Sequence, residues 1–311
     1  SLPLNMQTHF ENRIIDTYER ALKRGEVYFM ESRVVKIVEI DIEFEIRLAP
    51  SLANKPIGTT DKKTMNKNQS EDLFVQEYGK HVILLNKYCI VPYHLVIATK
   101  EFEKQTNPLN PEDMASIWFC IMHNKSQPTL VFFNCGELSG ASQPHKHIQV
   151  IPLPSEARFT PPISSYIYRA QNRKPGEIFE FEDLPYIHYV VLLDPKQISE
   201  RHHQHQHGNY EEVGQYLSQN FHSLLNRMLK DFNTNHKNVI KNDYFHISYN
   251  FIMTHTWMMM VPRRSEKYEY VSINSLGFAG MLLVRNEEEL KFVKTVGVMK
   301  ILENVAIPKK N

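Results

Sequence analysis

The sequence predicts an α+β fold, in which a mixed or antiparallel sheet is flanked by helices and built from two similar halves. Three observations lead to this fold class. Apolar and polar residues alternate in several short segments, which is typical of half-buried strands. Longer segments place apolar residues at helical spacing. The segments 91–99 and 145–152 also resemble 184–193 and 255–262, which indicates an internal duplication.

Composition narrows the classes of function. The chain has 311 residues, 42% of them hydrophobic, which is enough to bury a substantial core. Its 36 basic residues nearly cancel its 35 acidic residues and leave a net charge of +1. A chain without a global field does not attract nucleic acid or an anionic membrane, so locally placed cations must hold any anionic ligand.

The cysteine spacing and the length of the apolar runs indicate the cellular compartment in which the protein is expected. Cys89, Cys120 and Cys135 lack C-x-x-C spacing, so the sequence predicts neither a disulfide framework nor a cysteine zinc site. No apolar run approaches about 18 residues, and the first residues lack the apolar core of a signal peptide. We therefore expect a soluble, intracellular protein in a reducing compartment.

The N-terminal segments predict a helix, a strand and a loop. Apolar residues from Phe10 to Leu22 follow helical spacing, with Gly25 as the stop. Residues 34–48 alternate apolar with mostly charged side chains, which predicts one half-buried strand. The polar stretch 51–72 predicts a mobile loop.

Two strands within 81–99 and a helix precede the strand at 129–136. Asn110 is the predicted N-cap of that helix, and Pro111 is its first residue. The polar stretch 155–180 is interpreted as an excursion from the core.

The second half repeats the pattern of the first. A strand at 184–193 precedes a long helix over 210–232, and 245–264 supplies two short strands. The closing helix begins at Asn286, where Glu289 three residues later forms a variant of the capping box.

The stretch "NCGELSGASQPHKHIQVIPLP" at 134–154 carries the chemistry. On a strand, His145, His147 and Gln149 would share one face at intervals of about 7 Å and converge on one ligand. The small-residue loop before them lets backbone N–H groups surround phosphate oxygens. An imidazole is largely neutral near pH 7, so this arrangement predicts nucleophilic attack on phosphorus.

The duplication assigns different roles to the two halves. In the alignment of the repeats, His147 falls on Trp257 and Gln149 falls on Met259. We therefore predict a single catalytic unit, 1–311, with a working half at 26–154 and a structural half at 181–303.

The H-x-H-x-Q triplet, followed by apolar residues and proline, resembles the histidine-triad superfamily in its nucleotidyltransferase branch. The segments "LNKY" (85–88), "FNCGELSGASQPHKHIQ" (133–149) and "NSLGFAGMLLVR" (274–285) are similar to fungal diadenosine tetraphosphate phosphorylases, or ATP adenylyltransferases. The similarity runs from about residue 8 to 303. It implies duplicated histidine-triad-like halves, as in galactose-1-phosphate uridylyltransferase.

The resemblance implies phosphorolysis of diadenosine tetraphosphate by phosphate to ADP and ATP through an adenylyl-histidine. A side reaction that exchanges sulfate for phosphate on ADP is also implied. His147 would be the nucleophile, His145 would orient it through its backbone carbonyl, and Gln149 would bond the transferring phosphoryl group. The further substrate-binding residues implied are Lys55, Asn86, Lys87, Asn134, Gly140, Ala141, Ser142, Gln143, Asn274, Ser275, Leu276, Met281 and Arg285. Arg285 stands where the family has lysine, which keeps the charge and alters its geometry.

The resemblance also implies partners. A divalent cation (Mg, Mn or Ca) would bind mainly through substrate phosphates, without a metal site of the protein's own. The expected ligands are diadenosine tetraphosphate, ATP, ADP, AMP and inorganic phosphate. Nucleic acid and membrane are not expected as partners, and the protein should be a monomer in the cytoplasm, with the nucleus as a second location.

The third residue of the triplet decides between transfer and hydrolysis. A histidine there could move protons for an attacking water, whereas an amide has no such capacity near neutral pH. Gln149 therefore favours transfer.

Three alternatives stay open on the sequence. A hexose-1-phosphate uridylyltransferase shares H-x-H-x-Q, although its cysteine- and histidine-based metal site has no counterpart here. A histidine-triad dinucleotide hydrolase and a non-catalytic nucleotide sensor would use the same strand.

Other conspicuous residues carry less functional weight. The "HHQHQH" stretch at 202–207 is interpreted as a solvated insertion rather than a metal site, and 258–260 as core methionines. Structural roles are favoured for His94 and His188, which occupy equivalent repeat positions.

Overall fold

The computed structural model describes residues 8–54, 71–141, 143–154, 159–203, 209–235 and 247–310. Within these residues the central feature is an eight-stranded antiparallel sheet. Helices cover one face of this sheet, and a three-stranded sheet with further helices covers the other. The predicted α+β class, with an antiparallel sheet and flanking helices, is therefore confirmed.

The elements follow one another along the chain with these bounds. They are α1 (His9–Lys23), β1 (Tyr28–Phe29), β2 (Arg33–Glu39), β3 (Ile42–Leu48), a 3-10 turn (Pro50–Asn54), β4 (Phe74–Tyr78), β5 (His81–Leu85), β6 (Tyr88–Cys89), β7 (Leu95–Thr99), α2 (Pro111–His123), β8 (Thr129–Cys135), β9 (His147–Pro152), α3 (Ser164–Arg169), β10 (Tyr189–Leu192), α4 (Pro195–His203), α5 (Glu211–Asn235), β11 (Tyr249–Met253), β12 (Trp257–Pro262), β13 (Lys267–Tyr268), β14 (Val271–Ser272), α6 (Ser275–Ala279), β15 (Met281–Val284), α7 (Glu287–Val296) and α8 (Val298–Val305).

The order of strands in the large sheet is symmetric about one central pair. The order is β10-β12-β11-β8-β9-β7-β5-β4, so β9 and β7 extend from β8 as β12 and β10 extend from β11. The registers correspond as well, because Gln149 lies opposite Val96 and Met259 lies opposite Val190. This register agrees with the repeat alignment predicted from the sequence.

The two faces of the sheet bury separate apolar clusters. On one face, α1, α2 and α5 pack against residues such as Ile148 and Met258. On the other face, the small sheet of order β15-β3-β2 and the C-terminal helices pack against residues such as Ile151 and Met259. Met258, Met259 and Met260 are fully buried, which confirms them as core residues.

The helix ends follow the predicted capping residues. Asn110 accepts a hydrogen bond from the Asp113 N–H and completes a capping box at α2, whose first residue is Pro111. At α7 the Asn286 side chain accepts from the Glu289 N–H, but the Glu289 carboxylate turns to Arg285 instead of returning to the cap. The closing helix is also divided, because α8 begins directly after Gly297.

The prediction of one strand over 34–48 is wrong. The segment forms an antiparallel hairpin of β2 and β3, turned at Ile40 and Asp41, which both have positive φ. In this register Ile37 shares the buried face of Phe44, whereas Val38 lies opposite Glu43 on the other face. Val38 continues the apolar alternation of β3 along the sequence, yet it is 66% exposed.

Two stretches predicted to be irregular contain regular structure. The stretch 155–180 includes α3, whose Tyr166 and Ile167 are buried in the apolar cluster between the large sheet and the small sheet. The predicted loop 51–72 begins inside the 3-10 turn, and its residues 55–70 lie outside the described residues. Residues 204–207 of the histidine-rich stretch also lie outside them.

The three cysteines are buried free thiols. In the part of the chain that the structure describes, no helix combines the length and the apolar content needed to cross a membrane.

Candidate active site

The H-x-H-x-Q motif lies where the chain enters β9, between β8 and β7. Alternation along β9 sends Ile148 and Val150 into the core below the helices. His147 and Gln149 therefore face the opposite side of the sheet, where each is half-buried. This is the side of the sheet that the small sheet of order β15-β3-β2 covers.

His147 is held in the form that a nucleophile requires. Its Nδ1 lies 2.8 Å from the carbonyl oxygen of His145 and donates to it, which leaves the proton off Nε2. Nε2 has no protein partner among the described residues. Burial lowers the pKa of His147, an effect that outweighs the hydrogen bond to His145. The ring is therefore neutral at pH 7 and can attack through Nε2.

His145 does not join the row of side chains predicted from the sequence. It precedes β9, and its Nε2 lies 2.8 Å from the Thr99 carbonyl oxygen and 2.9 Å from Thr99 Oγ1. The predicted convergence of three side chains on one ligand is therefore wrong, because the imidazole of His145 is bound to β7. Its carbonyl is the group that contacts His147.

Gln105 holds the backbone of His147 and was missed by the sequence analysis. Its Oε1 accepts the His147 N–H at 2.8 Å, and its Nε2 donates to the His147 carbonyl at 3.2 Å and to the Asn134 carbonyl at 2.7 Å. One buried amide thus fixes the end of β8 to the start of β9. No motif surrounds Gln105, so only the tertiary structure could reveal it.

Gln149 is bonded through its oxygen. Oε1 lies 2.8 Å from Nε2 of His94, the buried residue that directly precedes β7. The Asn86 amide nitrogen lies 3.2 Å from Nδ1 of the same imidazole. Asn86, predicted to bind substrate, thus also contacts the residue that bonds Gln149.

Asn134 lies at the centre of a buried polar cluster behind the small-residue loop. Its Oδ1 accepts from Asn250 Nδ2 at 2.8 Å, from Ser275 Oγ at 2.6 Å and from the Ser275 N–H at 3.1 Å. The oxygen thus accepts three hydrogen bonds, whereas Nδ2 has no partner among the described residues. The predicted residues Asn134 and Ser275 are thus brought together.

The loop itself passes close to the C-terminal segment. Gly140 has φ of 83°, and a Cβ there would lie 2.9 Å from the Cβ of Asn274. Asn274 uses its side chain to cap α6 by accepting the Leu276 N–H. Only glycine permits this approach and this backbone conformation together.

Arg263 is a buried cation behind the loop that the sequence analysis also missed. It is 3% exposed, and it donates to Asn250 Oδ1 at 2.6 Å and to the Ser139 carbonyl at 3.3 Å. Burial lowers the pKa of Arg263 to about 9, so the side chain stays charged at pH 7. Its charge lies on the loop side of the Asn134 cluster.

On the opposite face, Lys146 anchors the motif to α2. Its Nζ lies 2.6 Å from Asp113 Oδ2, and the other oxygen of Asp113 lies 2.7 Å from His81 Nε2. Burial alone would raise the pKa of Asp113, but the His81 hydrogen bond and the Lys146 charge hold it below its usual value. Breaking one partner of such a buried pair is costly, so these contacts fix the start of β9.

Four further predicted residues have a described environment, in a pocket or at the surface. Leu276 and Met281 line a pocket together with Arg47 and with His94, the residue that bonds Gln149. Ala141 is half-buried and Gln143 is exposed.

Two charged candidates, Lys87 and Arg285, make their described contacts away from the motif. The ammonium group of Lys87 lies over the Tyr88 ring at 5.9 Å. Arg285 bonds Glu289, with Nε 3.1 Å from Oε1. Lys55 and Ser142 lie outside the described residues.

No cluster of three or more His, Cys, Asp or Glu side chains in the described ranges could hold a metal ion. The described residues therefore do not fit a metal held by the protein alone.

Comparison with known proteins assigns the family. The family model of the Ap4A phosphorylase N-terminal domain matches residues 3–169, and that of the ATP adenylyltransferase C-terminal domain matches residues 182–308. The chain belongs to the Ap4A phosphorylase family, as the sequence motifs predicted, and is a nucleotidyltransferase.

Individual relatives agree with this assignment. Diadenosine 5',5'''-P1,P4-tetraphosphate phosphorylase 2 of Saccharomyces cerevisiae is 29% identical over 92% of this chain and 90% of its own length. The chain in the crystal structure of yeast Ap4A phosphorylase Apa2 in complex with AMP is 25% identical in sequence to this chain. The two structures match with a TM-score of 0.75, and the match covers 98% of each chain. Another Apa2 structure matches with a TM-score of 0.79 at 24% identity, covering 98% of this chain and 99% of that one.

Proposed function

We propose that this protein catalyses the phosphorolysis of diadenosine tetraphosphate by inorganic phosphate to ADP and ATP, through an adenylyl group carried on His147. The observation that carries the proposal is the bond from His147 Nδ1 to the His145 carbonyl. It leaves a neutral, half-buried imidazole with an unprotonated Nε2 beside a small-residue loop.

In the first step, Nε2 of His147 attacks the phosphorus next to one adenosine. The N–P bond forms, the bond from that phosphorus to the bridging oxygen breaks, and ATP leaves with the electron pair. The His145 carbonyl stabilises the positive charge that develops on the ring. Gln105 keeps the backbone of the nucleophile in place while the bond forms.

In the second step, an oxygen of phosphate attacks the same phosphorus and the bond to Nε2 breaks, which gives ADP and restores His147. Gln149 donates a hydrogen bond to the phosphoryl oxygens in both steps. Its amide cannot take a proton from water, so phosphate, which is already ionised, is the preferred acceptor.

The phosphate chain is proposed to lie between the motif and the loop. Asn134, Gly140, Ala141, Ser142 and Gln143 would bind it on one side. Lys55, Asn86 and Lys87 on a second side, and Asn274, Ser275, Leu276, Met281 and Arg285 on a third, complete the proposed set. A divalent cation (Mg, Mn or Ca) would neutralise charge while bound mainly through the substrate phosphates, and no step above depends on it.

We also propose that the half at 26–154 performs the chemistry, within a single unit, and that the half at 181–303 supports it. The proposed ligands are nucleotides and phosphate, without nucleic acid or membrane, and the protein would act as a monomer. Three buried thiols fit the reducing cytoplasm, with the nucleus as a second location. Exchange of sulfate for phosphate on ADP is the proposed side reaction.

The test is to incubate the protein with diadenosine tetraphosphate, with and without phosphate, and to separate the products. ADP and ATP that form only with phosphate support the proposal. AMP and ATP formed without phosphate would indicate a hydrolase, and tight binding without turnover would indicate a sensor. Turnover of a hexose 1-phosphate with a nucleotide sugar, in place of the dinucleotide, would indicate a uridylyltransferase.

A further inference from the structure

His94 is a buried imidazole whose hydrogen bonds run toward the motif. It is 2% exposed and directly precedes β7, the strand that pairs with β9. Its Nε2 lies 2.8 Å from Gln149 Oε1, and Asn86 Nδ2 lies 3.2 Å from its Nδ1 and 3.3 Å from its Nε2. The ring therefore stands between two amides, one of which faces the reacting phosphorus in the proposed function.

The chemistry of the acceptor fixes the direction of the hydrogen bond between His94 and Gln149. An amide oxygen can only accept, so Nε2 of His94 must carry the hydrogen in its bond to Gln149. Asn86 Nδ2 lies at nearly equal distances from the two ring nitrogens, 3.2 Å from Nδ1 and 3.3 Å from Nε2, so it does not point along the lone pair of either nitrogen. The bond to Gln149 therefore runs from His94 Nε2 as donor to Oε1 as acceptor.

This direction decides which end of the Gln149 amide faces the substrate. The two ends of an amide have nearly the same shape, so an unheld glutamine can turn either end toward a ligand. With Oε1 held by His94, the NH2 group remains, and the described residues provide no protein acceptor for it. A phosphoryl group carries negative oxygens, so the NH2 group stabilises it whereas the amide oxygen would repel it.

The other half of the molecule provides the contrast. His188 directly precedes β10 as His94 precedes β7, and it is equally buried. Both of its ring nitrogens bond the backbone, Nδ1 to the Tyr186 carbonyl and Nε2 to the Phe181 N–H, each at 2.8 Å. A buried histidine at this place can therefore serve the fold alone, and His94 differs in bonding a side chain of the motif.

We propose that His94 is a positioning residue for the transfer reaction, which fixes the Gln149 amide so that its NH2 group faces the phosphoryl group. The proposal rests on the proposed function, since it assigns Gln149 a donor role in that chemistry. His94 acts through Gln149 and does not itself touch the substrate.

The first measurement compares His94→Phe, which cannot donate, with His94→Gln, which places an N–H near the position of Nε2. The rate of the first ATP release in a single turnover should fall roughly 10- to 100-fold in His94→Phe, with KM changed by less than about threefold. His94→Gln should recover most of the loss. Equal losses in both variants, or a loss confined to KM, would overturn the proposal.

The second measurement is a double-mutant cycle with Gln149→Ala. If His94 acts through Gln149, His94→Phe should lower the rate no further once Gln149 is alanine. The same loss in both backgrounds would show that His94 supports only the fold. Should His94→Phe not fold, His94→Asn takes its place in the cycle, because its shorter side chain cannot reach Gln149.

His188→Gln is the matched control in the other half. It should lower the unfolding temperature and leave the single-turnover rate of the folded enzyme within about twofold of wild type. A wild-type protein that does not convert diadenosine tetraphosphate would contradict the proposed function. An active wild type with additive losses would contradict only the role of His94.

Discussion

The strand β9 and its counterpart β12 have corresponding registers in the sheet, but the side chains at equivalent positions differ in burial and in chemistry. His147 lies opposite Ala98 as Trp257 lies opposite Leu192. His147 is half-buried, and its Nε2 has no partner among the described residues. Trp257 is fully buried in the apolar cluster between the large sheet and the small sheet. The same position in the sheet thus holds a half-buried imidazole in one half and a packed indole ring in the other.

The connections before these two strands differ as well. Thr254 and Trp257 close a tight turn from β11 to β12, with the Thr254 N–H 3.1 Å from the Trp257 carbonyl. The connection from β8 to β9 spans residues 136–146 and is held by Gln105, at both of its ends. The tight turn is closed by a backbone bond, whereas the longer connection is held by a side chain from elsewhere in the chain.

The largest expected effect comes from comparing His147→Ala in β9 with Trp257→Ala in β12. His147→Ala should lower phosphorolysis by at least about 10³-fold, because the covalent route is lost, and should leave the free energy of unfolding within about 1 kcal/mol. Trp257→Ala should lower the free energy of unfolding by about 3–5 kcal/mol, since it empties part of the core. Denaturant unfolding and product assays measure both.

Wild-type protein mixed with dinucleotide in the absence of phosphate serves as the control and should carry an acid-labile AMP adduct on His147. An adduct mapped to another residue would contradict the assignment of the nucleophile.

The next effect concerns the third residue of the motif. Gln149→Ala should lower the rate about 10²-fold by removing a donor to developing charge, whereas Met259→Leu should leave it unchanged. Gln149→His should raise the ratio of AMP to ADP at fixed phosphate, because histidine can take a proton from water. A ratio that stays constant across a phosphate titration would show that proton transfer does not explain glutamine here.

A smaller effect tests how the long loop is held. Gln105→Leu should lower the transfer rate about 10-fold, because the His147 backbone loses both of its bonds to this amide and shifts. Thr254→Val removes a side-chain acceptor from the tight turn and should not change the rate. Equal rates for Gln105→Leu and wild type would contradict the role given to Gln105.

The pH dependence of activity follows from His147. Because burial lowers its pKa below the usual value of about 6.5, the ring stays neutral as the pH falls through that value. Nε2 is protonated only at the lower folded pKa, so the acid limb of kcat/KM should lie below pH 6.5. A limb above that value would assign the titration to another group.

The smallest expected effect concerns His188. Burial lowers its pKa to about 3, whereas the unfolded chain takes up this proton near 6.5. Between these values the unfolded state holds more protons, so the stability that His188 contributes is present above 6.5 and is lost as the pH falls toward 3. The free energy of unfolding of His188→Gln should fall less steeply across this window than that of wild type.

Much of the architecture was predictable because it depends on local patterns. The caps at Asn110 and Asn286 and the long apolar stripe of α5 are specified by neighbouring residues in the chain. The hairpin of β2 and β3 was not predictable from alternation, because Val38 and Ile40 extend the apolar pattern of β3 along the sequence although the register places Val38 on the opposite face. The short helix α3 was missed because its buried residues lie within a polar stretch.

The sequence alone was enough to predict the strand of the motif, because alternation places His147 and Gln149 on one face. The groups that hold these two residues became visible only in the folded chain. Gln105 and His94 lie 42 and 55 residues away from their partners, and hydrogen bonds over such distances leave no periodic trace in the chain. The tertiary structure also turned the ring of His145 to Thr99, because a carbonyl acceptor on β7 lies within its reach.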